Sequence, residues 1–464
     1  MANEAQRPSR KGDRELGLVN AYLDGICGQS LITKADVAMN QRQLCKPWEH
    51  RISRRQMLGA AAAGGLGLGT FLQPCVADEL AKNDKQVLLI WLDGGMSQLE
   101  SWDPKPNTEF GGPFRAIPTS VPGIHVCELL KHTAKQMHHL AVLRSVCTQD
   151  NSHSAGVARI NRGDPKNRGV EYPYLGSAVA KLLGPTSSGM PPYVWIKPNS
   201  GGFKASDAGF LGAKYGALAL GDGKPPDNLL LNKSISPEED ELRNELRRKF
   251  NDRYAVGRRT EWTDANSYVY ELAQKLMERD DLFDESSFTD KDRQRYGTHE
   301  LGRHLLLARR TLETGVRFVK VNSYHWDSHG DNFNASESLI SQFDQPFAAL
   351  IEDLHQRNML DNVLVIVMSE FGRTPKINSH VGRDHWPEAW SIAMAGAGIR
   401  KGVVVGKTND QGTFVEDQPY DIGHLFHTWF KAMGVPPDKM EYDNQGQPLP
   451  VAHDDCGPIA ELLA

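Results

Sequence analysis

Apolar runs rich in β-branched residues alternate with amphipathic helical patterns along the chain beyond residue 84. Each run is almost continuously hydrophobic, which is typical of strands that are covered on both faces of a sheet. This alternation predicts an α/β fold with a largely parallel central sheet. The predicted strands are residues 86–92, 139–146, 192–196, 316–321, 363–368 and 391–396.

Charged helical patterns separate the third predicted strand from the fourth. Two of them, "SPEEDELRNELRRKF" and "SYVYELAQKLMERDD", have the spacing of amphipathic helices, and "HLLLARRTLETG" leads the chain back into a strand. Residues 185–226 are rich in Gly, Pro and Ser, which predicts loops that could form a lid. We therefore interpret residues 185–312 as an insertion into a single domain that covers residues 78–464.

The first 77 residues carry the pattern of an export signal. Arg54 and Arg55 precede an apolar stretch over residues 60–71. That stretch lies within the roughly 7–15 residues of a signal and is shorter than the about 20 of a spanning helix. The pattern Ser-Arg-Arg-x-x-Leu resembles the bacterial Tat signal, and residues 75–77 form a passable cleavage site. We expect export by the Tat translocase, to the periplasm or beyond. A buried Ala-rich helix is the alternative, but an arginine pair seldom flanks one.

The segment ahead of the arginine pair is long for a signal. A start at Met39 would give a more ordinary one, so both Met1 and Met39 stay open as the first residue. The sequence "LQPC" before Val76 is a weak lipobox, so release and membrane anchoring also stay open. No run beyond residue 80 is long and apolar enough to span a bilayer.

Composition and charge narrow the classes of function. The chain has 464 residues, 39% hydrophobic and 24% charged, and can bury one large core or two smaller ones. A formal net charge of −5 gives no reason to expect a nucleic acid partner. Cys127, Cys147 and Cys456 lie beyond the signal at irregular spacing, without a C-x-x-C pair, which argues against a disulfide framework and a thiolate zinc site.

Several predicted strands end in polar residues that could bind a metal. The carboxyl ends of parallel strands meet at one edge of a sheet, where open α/β folds bind their ligands. Carboxylates and neutral imidazoles without thiolates are a ligand set for Zn²⁺, Mn²⁺ or Mg²⁺. Two such ions can bind both oxygens of a displacement at phosphorus or sulfur. The residues expected at this edge are Asp93, His153, Asp327, His329, Glu370, Asp384 and His385.

These residues also have structural interpretations. Asp93 and the two glycines after it could form only a tight turn. Asp327 and His329 can converge on one ion if the backbone is extended, or hydrogen-bond each other without a metal. Glu370 follows an apolar strand and must meet a cation, so a buried ion pair with Arg373 is the alternative to a metal. The convergence of all of these residues favours the metal site.

Five segments, in this order, resemble the DUF1501 proteins, which are exported bacterial proteins abundant in planctomycetes and related to the alkaline phosphatase/sulfatase superfamily. The segments are "LLIWLDGGMSQLESWDPKP", "SVCTQDNSHSAG", "WDSHGDNF", "VLVIVMSEFGRTPKIN" and "GRDHW". The resemblance covers about residues 84 to 440. It implies an alkaline phosphatase-like three-layer sandwich and an exported, metal-dependent hydrolase of a phosphate or sulfate ester.

The resemblance also implies metal ligands. Asp93 matches the aspartate that binds a metal beside the nucleophile. Asp327 and His329 resemble the pair that binds the other ion in two-metal members. One or two divalent ions are therefore expected, with zinc as the first choice and manganese, magnesium or calcium as alternatives.

The third part of the implied ligand set departs from the family pattern. Glu370 stands where relatives have the aspartate of an Asp-His pair, and Phe371 replaces the histidine. His385 then matches a late histidine ligand, with Asp384 near it. The replaced histidine leaves the ligand set incomplete by the standard of active relatives.

The nucleophile is where the chain departs furthest from these relatives. They place Ser, Thr or formylglycine at the start of a helix whose amides can receive the anion. The corresponding segment offers Ser152, His153 and Ser154, and alignment of its terminal Arg-Gly pair puts His153 in that position. Cys147 lacks the sequence context for formylglycine formation, so an ordinary type I sulfatase is not expected.

Two mechanisms and one competing function stay open. Either Ser152 or Ser154, ionised by a metal, attacks the ester, or water activated by the metal attacks while His153 transfers protons. Arg373 and Arg159 are expected to hold the oxygens of an anionic small-molecule or glycan ester, because a planar guanidinium suits phosphate or sulfate. The competing hypothesis is a catalytically degenerate envelope protein that binds an anionic glycan or a protein partner.

Overall fold

The computed structural model describes residues 84–163, 169–197, 202–224, 231–232, 234–258 and 261–464. These residues all lie within one of two compact units of the chain, Phe71–Ala464. The predicted export signal and both candidate start positions lie outside the described residues. Among the helices of the described part, none has the length and apolar character needed to cross a membrane.

The central sheet has nine strands, and six more strands form three small two-stranded sheets within the described residues. The strands are β1 (Gln86–Leu92), β2 (Ala116–Pro118), β3 (His125–Cys127), β4 (Leu140–Val146), β5 (Tyr193–Lys197), β6 (Gly202–Lys204), β7 (Ala217–Gly221), β8 (Phe318–Ser323), β9 (Val363–Met368), β10 (Gly372–Arg373), β11 (His385–Trp386), β12 (Trp390–Ala395), β13 (Val403–Val405), β14 (Glu441–Asn444) and β15 (Gln447–Pro450).

The strand order of the central sheet is β13-β4-β12-β9-β1-β8-β5-β7-β6. Strand β1 lies in the middle and pairs in parallel with β8 and β9. Strand β12 runs antiparallel to its neighbours β9 and β4, and the edge strand β6 runs antiparallel to β7. All other pairs in this sheet are parallel. The predicted α/β fold with a largely parallel sheet is therefore confirmed.

Helices cover both faces of the sheet. Leu88 and Ile90 of β1 point into one core, which α6 and α7 complete, whereas Val87 and Leu89 point into the other, with α2 and α8. These two cores explain why each strand is hydrophobic at nearly every position. The resulting three layers match the predicted sandwich. The α-helices of the described part are α1 (His153–Arg162), α2 (Leu175–Leu183), α3 (Pro237–Ala255), α4 (Glu261–Met277), α5 (Asp290–Tyr296), α6 (Glu300–Glu313), α7 (Asn332–Gln356) and α8 (Ile422–Ala432).

The segment predicted as loops, 185–226, differs from the prediction. It contains β7, whose residues Ala217 to Leu220 are buried in the sheet next to β5. The run "ALALG" has no β-branched or aromatic residue, so its intrinsic strand preference is weak. Its place in the sheet depends on packing against β5, a contact that local sequence does not reveal.

A buried histidine on α6 predicts acid sensitivity. His304 is 1% exposed, and burial together with Arg303 lowers its pKa to about 4. The unfolded chain, with a pKa of about 6.5, binds more protons between these values, so stability must fall as the pH drops through this window. We expect urea unfolding to show a loss of about 2 kcal/mol between pH 6.5 and 5 that His304→Gln removes. The exposed His125 gives the matched control, His125→Gln, and equal pH slopes for all three proteins would contradict the prediction.

Candidate functional site

The ends of four strands meet at one edge of the sheet. Strands β4, β9, β1 and β8 run in the same direction, with β12 inserted between β4 and β9. Their carboxyl ends carry the loops that contain the predicted site residues. The structure therefore joins Glu370, His153, Asp327 and His385 in one chain of contacts at the edge where the sequence predicted them.

The turn after β1 is built around Gly94, whose φ is +112°. Its N–H donates to Glu370 Oε1 at 3.0 Å. A Cβ on Gly94 would lie 2.4 Å from the backbone nitrogen of Asp327, so only glycine fits between the two loops. Asp93 therefore begins a tight turn, and its half-buried carboxylate has no side-chain hydrogen bond within the described chain.

Glu370 is fully buried at the end of β9. Its Oε1 lies 2.7 Å from His153 Nδ1, whereas its Oε2 is buried and has no hydrogen-bond partner among the described residues. Burial raises the pKa of Glu370, and the nearby charge of Asp93 adds to this effect. The alternative ion pair with Arg373 is not formed, and the side chain that faces Glu370 is His153.

His153 is the first residue of α1 and lies between two carboxylates. Its Nδ1 contacts Glu370, and its Nε2 lies 3.4 Å from Asp327 Oδ2. Burial alone would lower the pKa of His153, but Glu370 and Asp327 raise it above its usual value. Ser152 caps the helix without a side-chain hydrogen bond, and Ser154 is exposed. Neither hydroxyl contacts the carboxylate and imidazole groups, so only His153 of the three nucleophile candidates touches them.

Three potential ligand atoms converge next to His153. Asp327 Oδ1 lies 3.1 Å from His329 Nε2 and 3.0 Å from His385 Nε2. The two Nε2 atoms are 3.0 Å apart. Atoms about 2.0–2.1 Å from one tetrahedral zinc ion lie about 3.3 Å from each other, which is close to this spacing.

The contacts of the two Nδ1 atoms indicate the protonation of the two Nε2 atoms. His385 Nδ1 lies 2.6 Å from the carbonyl oxygen of Asn151, which can only accept, so Nδ1 carries the proton. His329 Nδ1 lies 2.7 Å from Asp384 Oδ1, and the pKa of Asp384 is lowered by that contact. In the neutral tautomers both Nε2 atoms therefore present lone pairs to each other. A metal ion between them would satisfy both, as would a proton shared by the two nitrogens.

Asp327 completes the cluster as a carboxylate. Burial alone would raise its pKa, but the hydrogen bond from Arg373 and the charge of that guanidinium lower the pKa to about 2. Asp384, predicted as a ligand, lies on the far side of His329 and also accepts from Asn378 Nδ2 at 3.0 Å. From there it orients the His329 ring instead of facing the ligand atoms.

The anion-binding role predicted for Arg373 does not fit the structure. Its side chain is fully buried, and protein oxygens take its donors. Nε donates to Gly95 O at 3.1 Å, Nη1 to Arg383 O at 3.0 Å, and Nη2 to Gly94 O and to Asp327 Oδ1. The guanidinium therefore fixes the glycine turn and Asp327, with no open face for a substrate.

The predicted anion-binding role of Arg159 also differs from its position. Its Nη2 donates to Asp421 Oδ2 at 2.6 Å, and Nη1 lies 3.8 Å from Asp150 Oδ2. Asp421 is the N-cap residue of α8. Arg159 therefore joins α1 to α8, because its guanidinium is paired with Asp421.

Phe371, which stands in place of the histidine of the family pattern, has a structural role of its own. It is fully buried, and its ring stacks on His385 with centroids 4.1 Å apart at 26°. The centroid of the His153 ring lies 5.2 Å from the centroid of the Phe371 ring. Phe371 thus forms an apolar wall that holds two imidazoles.

A buried ion pair next to the site was not predicted from the sequence. Glu100 and Arg383 are both fully buried, with Oε1 to Nη2 at 2.7 Å and Oε2 to Nε at 3.0 Å. Arg383 directly precedes Asp384 and His385. Its place in "GRDHW", next to candidate ligands, was a signal for Arg383. Glu100, which lies 283 residues away in the chain, offered none.

A family model with the description "Protein of unknown function (DUF1501)" matches residues 84–463. The sulfatase PsFucS1 from Pseudoalteromonas sp. is similar at 13% identity and TM-score 0.39, over 84% of this chain and 76% of that chain. The alkaline phosphatase from the Antarctic bacterium TAB5 is similar at 13% identity and TM-score 0.34, over 76% of this chain and 98% of that chain. The C-terminal periplasmic domain of EcEptC from Escherichia coli is similar at 11% identity and TM-score 0.34, over 76% and 83%. No curated protein sequence matches the chain.

Proposed function

The chain belongs to the DUF1501 family, and we propose that in this member the site at the sheet edge hydrolyses a phosphate or sulfate ester with a divalent metal ion. One observation carries the proposal. Asp327 Oδ1, His329 Nε2 and His385 Nε2 lie 3.0–3.1 Å from one another, and both Nδ1 atoms are already committed to oxygen acceptors. Three electron-rich atoms at this spacing repel each other unless a cation joins them.

Zinc fits this donor set best. Two neutral imidazoles and one carboxylate are typical zinc ligands, whereas magnesium and calcium prefer oxygen atoms throughout. Asp93 lies near Glu370, whose Oε2 is buried, and these carboxylate oxygens support a second ion of the manganese or magnesium type. A bound divalent ion would supply Lewis-acid stabilisation of the charge that develops on the ester oxygens.

The chain's own groups have separate tasks in this proposal. Glu370 holds His153 at Nδ1, so that Nε2 faces the ligand cluster and can give or take a proton there. The first amides of α1 lie at the same point, and a helix N-terminus favours a bound anion. Arg373 keeps Asp327 in place from behind. Binding of the ester anion therefore relies on the helix amides and the metal, without the two arginines.

The proposed location is outside the cytoplasm. The arginine pair and apolar stretch near residues 54–71 support export by the Tat translocase, which carries folded proteins. A site assembled from loops after β1, β8 and β9 can form only in the folded chain, which suits that route. The proposed substrate is an anionic small-molecule or glycan ester.

A second candidate function is binding without turnover. Phe371 supports it, because the fully buried ring stands where active relatives keep a histidine. The commitment of Arg373 and Arg159 to protein oxygens supports it as well. In this case the site would retain an anionic glycan or protein partner in the cell envelope.

Metal analysis of the purified, folded chain tests the proposal. We expect at least one zinc per chain by inductively coupled plasma mass spectrometry, and turnover of one class within a panel of aryl phosphate, phosphodiester and aryl sulfate. Chelation should abolish turnover and zinc should restore it. His329→Ala should lose both metal and turnover, whereas His380→Ala, an exposed histidine in a neighbouring loop, should keep both. Folded protein without stoichiometric metal would exclude the hydrolase, and metal without turnover would favour the binding protein.

A further inference from the structure

Helix α3 exposes large apolar side chains along its whole length. None of its residues is buried. Leu242, Leu246, Phe250 and Tyr254 are 55%, 45%, 67% and 59% exposed. Residues four apart on a helix are neighbours, so these side chains form one continuous apolar ridge.

The ridge is not the side on which α3 packs. Asn251 Nδ2 donates to Ser267 Oγ of α4 at 3.0 Å, and the Arg247 guanidinium lies 4.3 Å from the Tyr270 ring centroid. Arg247 and Asn251 each follow a ridge residue by one position, which is about 100° further around the helix. The contact with α4 therefore leaves the ridge facing outward.

Positive charge lies beside the C-terminal part of this ridge, at Leu246, Phe250 and Tyr254, whereas residues 238–241 at the start of α3 are all acidic. Residues 243–258 include six Lys or Arg and two Asp or Glu, a local net charge of +4 in a chain whose net charge is −5. Arg243, Lys249 and Arg253 lie on the exposed side, within about 60° of ridge residues. Lys249 pairs with Glu245 at 2.6 Å. Within the described chain, Arg243 and Arg253 make no ion pair with a carboxylate.

We propose that α3 binds the surface of a lipid bilayer that contains anionic headgroups. The helix would lie in the plane of the surface, with Leu246, Phe250 and Tyr254 at the level of the headgroups and with Arg243 and Arg253 against their phosphates. Helices with an apolar face flanked by Lys and Arg bind membranes in this way, through buried apolar area and attraction to anionic lipids. This inference is independent of the proposed hydrolase function.

A second copy of the chain fits this face less well. A twofold pairing through the ridge places Arg243 of one copy near Arg253 of the other, because these residues lie on either side of the ridge centre, and like charges would then face each other. One helix face also provides much less than the about 800 Å² per partner of a stable interface. Unpaired arginines beside exposed aromatic rings match a surface of phosphates instead.

Co-sedimentation with vesicles tests the proposal. The full chain should bind vesicles of phosphatidylglycerol and phosphatidylcholine more tightly than vesicles of phosphatidylcholine alone. Phe250→Ser with Tyr254→Ser should weaken binding to the anionic vesicles by about tenfold or more, because both rings leave the apolar ridge. Arg243→Gln with Arg253→Gln should weaken it by about 25-fold at low salt, at about fivefold for each cation, and by less at high salt.

The chain offers a matched control. Phe414 is 54% exposed on the loop between β13 and α8, and Phe414→Ser should bind as the wild type does. The apolar stretch near residue 65 is the same in every variant, so differences between variants report on α3. Thermal melting should be unchanged in all variants, since α3 buries no residue. Equal vesicle binding by the wild type and both α3 variants would overturn the proposal. Sedimentation without lipid that shows a wild-type dimer, dissociated by Phe250→Ser, would also overturn it in favour of self-association.

Discussion

Replacing Asp327 with asparagine should lower the rate of ester hydrolysis by at least about 10³-fold, because a metal ion contributes several kcal/mol to stabilising the transition state. Asp327 Oδ1 contacts both His329 Nε2 and His385 Nε2, so its charge is the centre of the proposed ligand set. The amide keeps the shape of the side chain but removes that charge. We also expect zinc affinity, measured by competition with a chromophoric chelator, to fall by more than the about 10–100-fold that outer-shell partners cost.

Asp331→Asn is the matched control for this variant. Asp331 lies four residues further along the same loop, and within the described residues its carboxylate accepts hydrogen bonds from Asn334 alone. It should retain wild-type zinc affinity and turnover. The thermal melting curve of Asp327→Asn must be recorded as well, because Arg373 loses a charged partner. A folded Asp327→Asn protein with wild-type zinc affinity would eliminate Asp327 as a ligand.

Glu100→Gln should cost about 3–5 kcal/mol in the free energy of unfolding, measured with urea. The reason is that removal of one partner from a buried ion pair leaves the other charge uncompensated. Glu100 and Arg383 are both fully buried and contact each other through two hydrogen bonds. Because Arg383 immediately precedes Asp384 and His385, the variant should also bind zinc about tenfold less tightly.

A double-mutant cycle measures the interaction between Glu100 and Arg383 separately from their contacts with other residues. Arg383→Met alone should also be destabilising, but combining it with Glu100→Gln should cost much less than the two single losses together. Glu109→Gln, at an exposed position in the same segment, should change stability by less than about 0.5 kcal/mol. A loss below about 1 kcal/mol for Glu100→Gln would show that the two charges are solvated in the native protein.

The strands of the central sheet were largely predictable from local pattern. A strand covered on both faces must be hydrophobic at nearly every position, and β1 and β9 show this without interruption. The edge strands β6 and β13 and the inner strand β7 lack this signal, because they are short or made of residues with weak strand preference.

The convergence of the site residues was predictable from topology, but their pairing was not. Parallel strands place their carboxyl ends together, so Asp327 and His385 could be assigned to one edge before their contacts were known. Glu370 illustrates the limit. Arg373 is its near neighbour in sequence, yet its partner in the fold is His153, 217 residues away. Arg373 instead donates to backbone carbonyl groups. Every residue has a backbone carbonyl, so the sequence does not indicate which of them Arg373 binds.

Gly94 makes the ends of three strands depend on one another. Its N–H donates to Glu370 after β9, its carbonyl accepts from Arg373, and its α-carbon lies against the backbone of Asp327 after β8. A displacement of any one of these strand ends must therefore disturb the others. The site therefore forms only when all three strand ends are in place. A chain with one strand out of register would lack the site entirely. Metal retention would then report on the correct registration of the whole sheet centre.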